Sequence, residues 1–207
     1  MNKSLVVLAL LAVATVCSAT PVTMVFQGFH GPGWPAGYPY FADVGGVSGA
    51  QVMCDDWAHG GFPGQTWNAN FTNLSTINAG NIGSSPLRFN QLPNALTLYQ
   101  EAGWLLLETK NTPSYQWTFM NLAVWHILDS SAPVSALSKV WLDAAQNEAN
   151  AGFPGVDFHG VGIYTPVDQY DPNLQNPQEL LRLVPEPGTL LLLAGGIAGL
   201  AARKKLR

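Results

Sequence analysis

Apolar and polar positions alternate with a period near two in the first third of the chain and with a helical period in the middle, so the two regions predict different elements. Val22-Thr23-Met24-Val25-Phe26 is β-prone, and the stretch from His30 to Pro39 mixes glycine, proline and aromatic residues that neither a helix nor a strand continues through. Tyr40 to Val44 and Gln51 to Cys54 flank Gly45-Gly46, a hairpin signal. In "QTWNANFTNL", Trp67, Ala69, Phe71 and Thr72 alternate imperfectly and predict a further strand.

The period then changes. Between Leu92 and Thr109, Leu96, Leu98, Tyr99, Ala102, Leu105 and Leu106 recur at helical spacing, with Asn94 placed to cap the helix. A second helix is predicted from Ser114 to Leu128, with Trp117, Asn121, Val124, Trp125 and Leu128 on one stripe. A third runs from Ser135 to Asn150, and Gly152 follows where a C-terminal cap belongs. "VDFHGVGIYTPV" and "PQELLRLV" read as two closing strands. Strands, three helices and strands again predict an α+β domain: an antiparallel β-sandwich or barrel-like sheet with an inserted three-helix segment.

Both ends carry apolar runs of another kind. Lys3 precedes an apolar run from Leu5 to Val16, and small residues follow at Cys17-Ser18-Ala19. That layout predicts a secretory signal peptide over residues 1–19, cut after Ala19, because a cut after Thr20 would put Pro21 beside the scissile bond. At the other end an uncharged run from Gly188 to Ala202 precedes Arg203, Lys204, Lys205 and Arg207. An apolar helix followed by a basic cluster is the pattern of a membrane segment with its positive end in the cytoplasm. Thr189 to Ala202 is only 14 residues. That gives about 21 Å of helix against a hydrocarbon core of about 30 Å. So short a segment suits a transient hold better than a permanent anchor.

The order of the tail is specific. Pro185-Glu186-Pro187, a short membrane helix and a basic terminus together resemble a PEP-CTERM sorting signal, which places residues 184–207 outside the domain at 20–183. The resemblance implies a Gram-negative bacterium that makes exopolysaccharide. It also implies an exosortase, a membrane cysteine transpeptidase that cuts near the motif and discards the helix, much as other processed anchors leave no spanning helix in the mature protein.

Charge narrows the choice of partners. Residues 20–187 hold all thirteen acidic side chains and only four of the nine basic ones, a net charge of −9. A nucleic-acid partner is excluded, since nothing supplies the cations that displace counterions from phosphates. No His-x-x-x-His or Cys-x-x-Cys spacing is present, so neither a metal nor another cofactor is expected.

Cys54, in "VMCDDW", is the one cysteine left after the predicted N-terminal cut, and it therefore cannot form an intramolecular disulfide. Three readings compete. It is a small buried hydrophobe at a strand end, a nucleophile served by His59, His126 or His159, or one half of a crosslink. Two adjacent carboxylates, Asp55 and Asp56, would raise a thiol's pKa and work against the second. The third rests on resemblance. "MCDDW", "YQEAGWLLL", "NLAVWHIL" and "GIYTPV", in that order, resemble PEP-CTERM proteins related to thioester-domain surface adhesins. In those adhesins a strand cysteine is joined to a glutamine in a Gln-x-Ala-hydrophobic-Trp motif. Here Cys54 falls at the cysteine and Asn121 at the glutamine, one methylene shorter.

The expected function is thus non-enzymatic: an exported surface or matrix protein trimmed by signal peptidase and exosortase, associated with exopolysaccharide. The alternative is a carbohydrate-binding module in which Trp34 and Tyr38 of the aromatic loop stack on sugar rings.

Overall fold

The computed structural model describes residues 21–29, 39–167 and 176–184. The predicted signal helix, the aromatic loop with Trp34 and Tyr38, and the sorting tail with Pro185, Glu186 and Pro187 lie outside the described residues.

Six strands are present: β1 (Val22–Phe29), β2 (Tyr40–Val44), β3 (Val47–Cys54), β4 (Thr66–Asn73), β5 (Val161–Pro166) and β6 (Leu180–Leu183). They close into an antiparallel barrel in the order β1-β2-β3-β6-β5-β4, with β1 pairing back onto β4. Between β4 and β5 lie the three helices, α1 (Ala95–Glu108), α2 (Trp117–Leu128) and α3 (Ala136–Asn150). Among the described residues no helix is long and apolar enough to cross a membrane.

The burial of each strand follows its position. In β1 and β2 alternate residues, Met24 and Phe26, then Tyr40, Ala42 and Val44, point into the barrel and are buried. Their neighbours face outward, as a period of two requires of a sheet with one wet face. All six residues of β5 are buried instead, as are Leu180 and Leu181 of β6 and Val52, Met53 and Cys54 of β3. That wall is covered on its outer side by helices. α1 packs on β5 and β6, α2 packs on the end of β3, and the three helices pack on one another.

Local sequence accounts for the joints. Gly45 and Gly46 have φ of 57° and 86°, the two positive values that a two-residue hairpin turn with the twist of its strands needs. β3 begins at Val47, ahead of the expected Gln51, because Val47 pairs with Val44 across that turn. The second helix opens with a 3-10 turn at Ser114–Gln116 and becomes α-helical at Trp117. Asn94 does precede α1, but with a left-handed backbone and no capping bond from its side chain; its carbonyl accepts the Leu98 N–H at 3.1 Å. α3 is capped at both ends. Ser135 and Ser138 exchange side-chain and backbone bonds at its start. At its end Gly152 N–H reaches Ala149 O and Phe153 N–H reaches Glu148 O, the paired bonds of a Schellman motif.

Candidate functional site

Cys54 is the last residue of β3, and the chain turns at once through Asp55 and Asp56; all three are fully buried. The turn keeps the thiol occupied. Cys54 Sγ donates to Asp56 O at 3.3 Å and lies 3.4 Å from Asp56 N. Burial, first, and the neighbouring Asp55, second, push the Cys54 thiol well above its ordinary range. The Trp125 indole and Arg88 offset part of that rise, although Trp125 Nε1 meets no partner within hydrogen-bonding geometry. The uncharged thiol is the stable form here, and a thiol is a poor nucleophile.

Asn121 and Trp125 both lie on α2, the helix that packs on the end of β3. Their four-residue spacing puts them on one face. Asn121 is fully buried, and neither its Oδ1 nor its Nδ2 has a hydrogen-bond partner. The Trp125 ring packs on Trp57, three residues after Cys54, with centroids 4.9 Å apart. The junction of β3 and α2 therefore gathers a thiol and several unmet polar atoms, where almost all buried polar groups are normally satisfied.

Beside it lies a charged cluster that the sequence did not announce. Asp56 pairs with Arg88 and with His59, whose Nδ1 is 2.8 Å from Asp56 Oδ1 and 3.1 Å from Arg88 Nη1. Burial lowers the His59 pKa, which favours the neutral ring. Arg88 also spans to the segment before β6, with its backbone N–H on Glu179 Oε2 at 3.0 Å and Nη2 on Pro177 O at 2.9 Å. Glu179 further accepts from Tyr99 at 2.5 Å and from the Thr165 hydroxyl, and Gln178 donates to His59 O. These bonds fasten the entry of β6 to the end of β3 and to α1.

Asp55 stands apart in this cluster. Neither of its oxygens has a hydrogen-bond partner. Burial, and then the charge of Glu179, push its carboxyl well above the usual range.

Among the described residues Cys54 has no base of its own, because His59 is engaged with Asp56 and Arg88. His126 bonds Ala132 O at 2.9 Å. His159 bonds Asp157 at 2.6 Å on the open surface. Among the described residues no three of the His, Cys, Asp and Glu side chains are grouped to hold a metal ion. Arg88 and Glu179 escaped the sequence reading because they meet across 91 positions. The one available hint was that Arg88 is among only four basic residues in 20–187.

No curated protein matches the chain. Among solved structures it is similar to the N-terminal thioester domain of a surface protein from Clostridium perfringens, at 15% identity and a TM-score of 0.40, over 80% of this chain and 100% of that one. So loose a likeness carries no argument about the site. The tail is more definite: residues 183–205 match the family model of the PEP-CTERM protein-sorting motif, so the chain bears the signal of an exosortase-sorted, extracellular protein, beginning at the last residue of β6.

Proposed function

We propose that this chain is a non-enzymatic protein of the cell surface or extracellular matrix of a Gram-negative bacterium, held in the membrane by its C-terminal segment until an exosortase removes it. The observation that carries the reading is the sorting motif at 183–205, which follows β6 with no linker between them. A cut beyond β6 would leave the whole barrel outside the membrane, where a role in exopolysaccharide or biofilm would be exercised. The non-enzymatic part is supported by the state of Cys54, whose proton is held by Asp56 O and whose thiolate is disfavoured by burial and by Asp55.

Cys54 and Asn121 form the candidate crosslink pair. A bond between them would expel one ammonia as the sulfur replaces the amide nitrogen, and would leave the protein inert to thiol reagents until an amine opened it. The free thiol is the reading preferred here. The Asp56 bonds already satisfy the sulfur, and Asn121 has one methylene less reach than a glutamine.

The test of sorting is substitution within the motif. Glu186→Ala should leave the full-length chain lodged in the membrane, because the apolar run and the basic end remain. Deleting 188–207 should instead release the domain into the soluble fraction. Normal trimming and display of Glu186→Ala, followed by membrane fractionation and blotting, would contradict the sorting role.

A further inference from the structure

The barrel carries a second feature, away from the buried thiol. Where α1 ends, α2 begins and β6 runs out, there is a cleft of about 460 Å³ lined by Gln51, Thr109, Lys110, Trp117 and Arg182 among others. That volume lies within the range of about 300–1,000 Å³ typical of small-ligand sites.

Its charge is unlike that of the rest of the domain. Of the four basic residues in 20–187, Arg88 is committed to Asp56 and Lys139 to Asp143 at 2.6 Å. The other two, Lys110 and Arg182, both line this cleft. Among the described residues neither lies within ion-pair distance of a carboxylate. Arg182 lies near enough to the Tyr164 hydroxyl to offset part of the rise that burial gives its pKa, and Lys110 feels the charge of Asp157 without closing on it. The stretch 20–187, with a net charge of −9, repels anions at long range, so two cations lining one cleft are the local condition for holding one.

The cleft also has an aromatic wall, and it is fixed. Trp117 is half-buried, and its Nε1 donates to Thr112 O at 2.8 Å, which sets the plane of the ring. A rigid apolar plane beside two cations and the polar side chains of Gln51 and Thr109 suits a ligand with a flat C–H face, hydroxyls and one negative charge.

We propose that this cleft binds an acidic sugar, a uronate unit of a polysaccharide, with its ring on Trp117 and its carboxylate between Lys110 and Arg182. The proposal does not depend on how the tail is processed, and the site is separate from Trp34 and Tyr38.

The test is calorimetric titration of the full chain, held in mild detergent, with a glucuronate hexamer and with a glucose hexamer of the same linkage. The glucuronate should bind, and the glucose at least tenfold more weakly. Rising salt should weaken the first and leave the second unchanged. Lys110→Gln, Arg182→Gln and Trp117→Phe should each weaken glucuronate binding tenfold or more. Lys110 is exposed at the end of α1, so Lys110→Gln leaves the fold intact and keeps the test decisive even where Arg182→Gln melts early. Equal binding of the two hexamers, no binding of glucuronate, or unchanged binding by Lys110→Gln would each overturn the proposal. So would displacement of the glucuronate, at lower concentration, by a peptide of the sequence Val184 to Leu190, which would assign the cleft to the chain's own tail.

Discussion

Asp55 and Asp56 are neighbours, equally buried and unequally provided for. The Asp56 carboxylate has Arg88 and His59, whereas neither carboxylate oxygen of Asp55 has a hydrogen-bond partner. The folded-state pKa of Asp55 is raised by burial and by Glu179, so folding favours the protonated form. The stability this group contributes is therefore complete below the carboxyl's unfolded pKa of about 3.9, and it is lost as pH rises toward the higher folded value. Asp55→Asn removes the charge without removing the shape. It should raise the melting free energy at pH 7 by about 1 kcal/mol or more and flatten the dependence on pH above about 4, as read by thermal melts across pH. A variant less stable at pH 7 would show that the ionised carboxylate is held by a favourable contact. Arg88→Met is the opposite case. It leaves Asp56 buried and deprived of its arginine, and should cost about 3–5 kcal/mol in denaturant unfolding.

The elements were largely legible in the sequence, since local rules set them. Alternation gave β1, β2 and β4, Gly45-Gly46 gave the hairpin, and the stripe of Trp117, Asn121, Val124 and Trp125 gave α2. Ser135 and Gly152 frame α3, and Ser135→Ala should cost about 1 kcal/mol by thermal melt, since it removes the oxygen that accepts the Ser138 N–H. An unchanged melting point would mean that packing alone sets the start of the helix. Asn94 shows the limit of a local rule. The residue type fits a cap, but its backbone is left-handed and its side chain makes no capping bond. Pairing between distant segments was not legible at all. The closure of β1 onto β4 and the insertion of β6 between β3 and β5 join stretches whose local patterns carry no record of their partners. The same holds for the site. Cys54 could be singled out by its solitude, whereas the contacts of Arg88 with Asp56 and Glu179 exist only once the barrel has closed.

At the scale of the whole molecule, the last strand of the fold and the first residue of the sorting motif coincide at Leu183. β6 is held between β3 and β5 and fastened at its entry through Glu179, so the barrel is complete where the processed segment begins. A cut beyond Leu183 therefore takes no strand from the barrel and leaves in place the residues that line the basic cleft. One measurement reaches the processing and the chemistry together: the intact mass of the protein recovered from outside the cell. The expected mass is well below the 22.2 kDa of the full chain, lacking residues 1–19 and the apolar tail beyond the sorting motif, with no further loss of one ammonia and a thiol that reacts slowly at Cys54. Recovery of the chain with its tail still attached would contradict exosortase sorting, and a mass short by one ammonia would contradict the free thiol and make covalent adhesion through Cys54 and Asn121 the function to pursue.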